Sequence, residues 1–186
     1  MGRYVGHSLT LQCKNLEEMR QFLRTCRWVS DDDLFGKDEY WQPPDEFEKR
    51  KAGDCEDFAL WTWRQLLGMG LDARVVFGTH GRYGIGHAWV EYFQDGKCFL
   101  LEPQCRNLGM AMPRLSTLNF EPKLSVSWDG KTIRYFSHKD KTYSPDWALV
   151  IKLIPQWIAI WGLRWLRILI RLPYLLVKRM MRSIKT

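Results

Sequence analysis

A chain of 186 residues can hold one domain with a real core plus an appendage, and 46% hydrophobic residues with ten tryptophans exclude global disorder. The formal net charge of +7 is uneven: all 21 acidic residues and twenty of the 28 basic ones precede Ile151, leaving residues 1–150 at −1 and residues 151–186 at +8. Five cysteines, an odd number without Cys-x-x-Cys spacing, argue against a disulfide framework or a zinc site and suit a reducing, cytoplasmic setting. Residues 1–12 lack the basic and apolar runs of a secretory signal.

In chain order, the spacing of Leu16, Met19, Leu23 and Cys26 predicts an amphipathic helix from Asn15 to Trp28, with Asn15 as N-cap. Asp31-Asp32-Asp33 reads as a loop whose acids are either solvated or available to a cation. Pro43-Pro44 breaks the chain, and Asp45 to Lys51 is a short charged helix. A third helix starts at Gly53-Asp54 and ends at Gly68 and Gly70. Beyond its first turn only Thr62, Arg64 and Gln65 are polar, so it belongs in the middle of a core.

A short apolar strand is expected at Ala73 to Gly78, followed by a glycine-rich loop from Thr79 to Gly86. That loop lacks a phosphate-binding fingerprint and reads as a mobile rim carrying His80. Asp95-Gly96 between two apolar runs is a two-residue hairpin signal. Its register sets Trp89 opposite Glu102 and His87 opposite Gln104, all four on one face. Asp129-Gly130 marks a second hairpin between Leu124–Trp128 and Thr132–Phe136, and Ala148 to Leu153 is expected to be the last strand.

Cys55 falls in the first turn of the buried helix. There the helix dipole favours thiolate and lowers the thiol pKa from about 8.5. Glu56 and Asp57 oppose that effect, so activation requires a cationic partner. Taken alone, Cys55 reads equally as a small core hydrophobe. The hairpin supplies the partner: His87 as base, with Glu102 its diagonal neighbour at about 7 Å between side-chain roots, a gap the two side chains can close. His80 is the rival base.

Trp41-Gln42-Pro43-Pro44, Gly53-Asp54-Cys55-Glu56-Asp57-Phe58-Ala59, His87-Ala88-Trp89-Val90-Glu91 and Leu101-Glu102-Pro103 together resemble the transglutaminase-like superfamily. Within it, the chain is most similar to the bacterial transglutaminase-like cysteine peptidases, over about residues 35 to 105. The resemblance implies an α+β, papain-like core, with a central nucleophile helix packed on a small antiparallel sheet. It implies Cys55 as nucleophile, His87 as general base and Glu102 in the place usually held by aspartate. Gln104, Trp41 and Gln42 are its candidates for oxyanion contact or support. In the resembled peptidases, acids around the cysteine are linked to calcium, and Asp54, Glu56 and Asp57 match that block, although Asp54 is equally an N-cap and the other two first-turn acids. No cofactor is required for the thiol chemistry.

Residues 151–186 change character. Arg164, Arg167, Arg171, Lys178 and Arg182 share one helical stripe, with Arg179 beside it and Trp157, Trp161 and Trp165 along its border. From Trp157 to Val177, eleven Leu, Ile or Val residues contribute roughly −3 to −7 kcal/mol to insertion against about +7 to +10 for three arginines, so spanning loses. An amphipathic helix lying on an anionic membrane satisfies both groups, and docking on the catalytic domain or on another chain is the alternative. No nucleic-acid motif accompanies the basic residues. Residues 1–150 are thus expected to form a cysteine peptidase domain acting on a protein or peptide, peripherally held at a membrane by residues 151–186. Acyl transfer by the same triad and a non-catalytic, membrane-recruited binding module are the competing readings.

Overall fold

The computed structural model describes residues 1–138 apart from residues 7, 82, 105–110 and 113–119. The strand expected at Ala148 to Leu153, the C-terminal helix and Cys105 lie outside the described residues.

Four short helices precede the central one: α1 (Gly2–Val5), α2 (Leu16–Arg24), α3 (Asp31–Phe35) and α4 (Pro44–Arg50). Asn15 caps α2 as expected, its side-chain oxygen accepting from the Glu18 N–H at 2.9 Å, and Met19, Leu23 and Cys26 are buried. The helix stops at Arg24, short of the expected Trp28, because the next residues are recruited elsewhere. Arg27–Trp28 (β1) pairs in parallel with Ala52–Gly53 (β2). A short parallel pairing between distant segments leaves no local sequence signal.

The central helix α5 (Cys55–Gly68) is buried nearly all round, with Leu60, Trp61, Trp63 and Leu66 fully enclosed. Its polar residues face partners rather than water. The Trp61 indole N–H donates to Glu48 Oε2 at 3.1 Å, and the Gln65 side chain bonds the Cys13 N–H and the Leu11 carbonyl at 2.9 and 2.8 Å. Truncating Leu60 or Leu66 to alanine there costs about 2–5 kcal/mol.

Six strands form one antiparallel sheet: β3 (Asp72–His80), β4 (Ile85–Gln94), β5 (Lys97–Leu101), β6 (Ala111–Met112), β7 (Phe120–Trp128) and β8 (Ile133–Ser137), in the order β6-β5-β4-β3-β7-β8. The β4–β5 register is the expected one, Val90 opposite Leu101 and Gln94 opposite Lys97, with Asp95 and Gly96 at positive φ in the turn. The second hairpin also forms, with four residues between Trp128 and Ile133. One face of the sheet, including Val75, Ala88, Val90 and Leu101, joins the core around α5. On the other face Val76, Trp89, Leu100 and Phe120 make a separate buried cluster.

The expected loop from Thr79 to Gly86 is largely strand. β3 runs to His80 and β4 begins at Ile85, leaving a four-residue turn. Glycines 78 and 86 remain in the ladder. Gly78 is required by close approach: a Cβ there would collide with the Glu121 carbonyl and lie 2.7 Å from the Trp89 ring.

Candidate functional site

The site is built where the start of α5 meets β4. Cys55 is half-buried, and the backbone N–H of Ala88, the residue after His87, works to lower its thiol pKa. The thiol itself donates to Glu56 Oε2 at 3.1 Å. Burial first, then the Glu56 and Asp54 carboxylates, push the thiol well above its ordinary value. This corrects the expectation that the helix start lowers the pKa. A half charge at a helix end does not offset desolvation plus two nearby acids, so the resting group is a neutral thiol.

His87 and Glu102 lie on the two arms of the β4–β5 hairpin, and His87 Nε2 is 2.6 Å from Glu102 Oε2. Both side chains are largely enclosed, at 14% and 18% exposure. A carboxylate accepts, so Nε2 carries the hydrogen. The backbone N–H of Gln104 donates to the other Glu102 oxygen at 3.1 Å, while the Gln104 side-chain nitrogen is buried without a partner. Against the His87 ring stand His80, Phe120 and Trp89, with centroids at 5.2, 5.8 and 6.1 Å.

Trp41 and Gln42 make the contacts of support. The Trp41 ring stacks on Phe77 at 4.8 Å, and its N–H donates to Glu39 Oε1 at 2.7 Å. Gln42 is fully buried. Its side-chain nitrogen donates to the Ala52 carbonyl at 2.9 Å and to Asp57 Oδ2 at 2.5 Å, and its backbone N–H reaches Asp57 Oδ1 at 2.7 Å. With both amide hydrogens engaged, Gln42 has none left for an oxyanion. Gly53 is glycine for the same network, since a Cβ would collide with Asp57 and stand 2.7 Å from the Gln42 nitrogen. Two separate sequence motifs thus meet in one buried cluster.

An acidic group adjoins this network. Asp31, expected to lie in a solvated loop, instead opens α3 and is 3% exposed. One oxygen each from Asp31, Asp54 and Asp57 lie within 4.8 Å of one another, and Asp54, Cys55 and Glu56 form a second such group. Asp54 is the N-cap residue, yet its side chain caps nothing; it shares a hydrogen bond with Glu56. Burial pushes Asp54 up to about 8 and Asp57 up to about 7, and also raises Asp31 and Glu56. Asp31 Oδ1, Asp54 Oδ1 and Glu56 Oε1 are buried without a hydrogen-bond partner. Orphaned, converging carboxylate oxygens fit the all-oxygen donor set of calcium. The sequence offers Asp31-Asp32-Asp33 to a cation, but not the grouping of Asp31 with Asp54 and Asp57, which crosses more than twenty residues; the Ser30 cap before it was the available local signal for α3.

The CEP76 peptidase-like domain family matches residues 39–106. The centrosomal protein of 76 kDa is 49% identical in Xenopus tropicalis and 47% in Homo sapiens over 55 residues, which are 30% of this chain and 8% of those proteins. Calcium-bound LapG of Legionella pneumophila is similar in structure, with a TM-score of 0.51 and 17% identity, over 75% of this chain and 78% of LapG. EGTA-treated LapG aligns with a TM-score of 0.51 and 18% identity over 72% of each chain. The fold is therefore a mixed one like that of LapG, and the segment carrying the site is similar to the CEP76 peptidase-like domain.

Proposed function

We propose that this chain is a cysteine-dependent amide hydrolase, a peptidase working through Cys55, His87 and Glu102. The observation that carries the reading is the enclosed His87–Glu102 pair at 2.6 Å, one residue from the Ala88 N–H that acts on the Cys55 thiol at the start of α5. His87 takes the thiol proton as Sγ attacks the amide carbonyl carbon, and the tetrahedral oxyanion forms near the backbone N–H of Cys55 at the helix start. His87 then returns the proton to the departing amine, leaving a thioester that water hydrolyses with His87 again as base. Transfer to an amine uses the same thioester, and an added amine competing with water separates the two.

Asp31, Asp54, Asp57 and Glu56 would hold calcium. Bound there, the cation supplies neutralisation of the carboxylates that raise the thiol. Residues 151–186 hold the protein peripherally on anionic membranes, supported by their +8 charge and bordering tryptophans. Flotation with neutral and anionic liposomes, with and without those residues, tests this; indifference of the full chain to anionic lipid overturns it.

A second reading is a binding module that keeps the fold without turnover, favoured by the raised thiol and its bond to Glu56. Mass-spectrometric mapping of limited iodoacetamide labelling decides. A catalytic Cys55 reacts faster than Cys13 and Cys98 and slows in His87→Ala. Equal rates, or indifference to His87→Ala, leave the binding module.

A further inference from the structure

Along β4 the face that carries His87 also carries Trp89 and Ile85, because alternate strand residues share a face. Trp89 is fully buried, the His87 side chain is 14% exposed and Ile85 is 66% exposed. The same surface thus runs out of the core, through the base, to an apolar side chain in solvent. Tyr83, in the turn before Ile85, is 85% exposed, and these two are the most exposed large hydrophobic side chains among the described residues. Gly81 and Gly84 both adopt positive φ, and the Gly84 N–H donates to the Gly81 carbonyl at 3.2 Å. Across the ladder Ile85 pairs with His80, whose ring lies 5.2 Å from that of His87. Tyr83 and Ile85 are therefore presented at the hairpin end, Ile85 one pleat from the base.

Resting on the peptidase reading, we infer that Ile85 and Tyr83 select the substrate, holding an aliphatic or aromatic side chain on the acyl side of the scissile amide. The acyl side follows from the chemistry. The amine leaves after the first half-reaction, whereas the acyl portion stays bonded to Sγ while water attacks. A rim fixed on the strand of His87 serves both half-reactions only by gripping that portion. A polar or acidic side chain gains nothing from two apolar surfaces. An apolar one exchanges water for contact on both.

Peptidyl chloromethyl ketones that differ only in the side chains nearest the warhead, Leu or Phe against Ser or Asp, test the inference on the full chain. Attack of Sγ on the methylene carbon expels chloride, and intact mass reports the rate at Cys55. The apolar reagents should react about ten- to a hundredfold faster than the polar ones, the discrimination a small apolar subsite gives. That ratio should fall towards one in Ile85→Ser and in Tyr83→Ser. It should stand in Tyr135→Ser, which removes an exposed aromatic on β8. Equal rates for all reagents, or a preference surviving both rim substitutions, overturn the inference while leaving the peptidase reading intact. Failure of Cys55 to react faster than Cys13 and Cys98 with any reagent, iodoacetamide included, sinks both.

Discussion

The two halves of the candidate site are assembled in opposite ways. His87 and Glu102 sit on one hairpin, fifteen residues apart, and a two-residue turn with Asp95 and Gly96 at positive φ is enough to bring them together. The Cys55 half is collected from far: Asp31 from α3, Gln42 from the segment before α4, Gly53 from β2, and Asp57 from α5 itself. The hairpin half holds a single carboxylate, bonded by His87 and by the Gln104 N–H, whereas the helix half concentrates buried carboxylates, three of whose oxygens find no partner. The base is thus set by local geometry, and the nucleophile's environment by tertiary packing. Damage to each half should accordingly read out differently, in rate for the hairpin and in stability for the helix start.

The largest effect should come from the hairpin. His87→Ala should slow alkylation of Cys55 by iodoacetamide by roughly 10²- to 10⁴-fold, the range expected for a general base, with the thermal midpoint little changed. Glu102→Gln should slow it somewhat less, because it removes the charge and the tautomer control but leaves the imidazole. Gln104→Ala should have the mildest effect, since the contact of Gln104 with Glu102 runs through its backbone. An equal loss in Gln104→Ala would contradict the assignment of Glu102.

The helix half should answer in stability. Gly53→Ala forces a methyl group into the Gln42–Asp57 pair and should cost about 1–3 kcal/mol by urea unfolding, as overpacking does. An unchanged midpoint would show that the pair yields freely. The same half should respond to pH and calcium. Asp54 and Asp57, raised to about 8 and about 7, bind a proton more tightly folded than unfolded, where a carboxylate titrates near about 4. Their contribution is therefore complete below about pH 4 and is lost as pH rises towards about 8. In EGTA the thermal midpoint should fall across that window by several degrees. Calcium should lift it most at the upper end, where the carboxylates are charged. A midpoint indifferent to calcium at pH 8 would remove the cation from the site.

The smallest effect tests the turn. Gly96 has φ 70, so Gly96→Ala should destabilise by about 1 kcal/mol while leaving Cys55 reactivity nearly intact. A large loss of reactivity would mean that the register of His87 and Glu102 depends on that turn more tightly than their hydrogen bond implies.

The sequence by itself determined what short-range rules govern. The Asn15 cap, the buried α5 and its ends, the Asp95-Gly96 turn and, through the alternation of β4 and β5, the meeting of His87 with Glu102 all follow from periodicity and turn chemistry within about twenty residues. Tertiary structure decided the rest. The early end of α2 depends on β2, the persistence of β3 and β4 through their glycines depends on Trp89 and the Glu121 carbonyl, and the burial of Asp31 depends on Asp54 and Asp57. The thiol of Cys55 shows the difference most directly. Its position at a helix start predicts a lowered pKa against the opposition of neighbouring acids; burial, which only packing decides, is the largest cause of the raised pKa, and Glu56 and Asp54 on either side of it in the chain add to it.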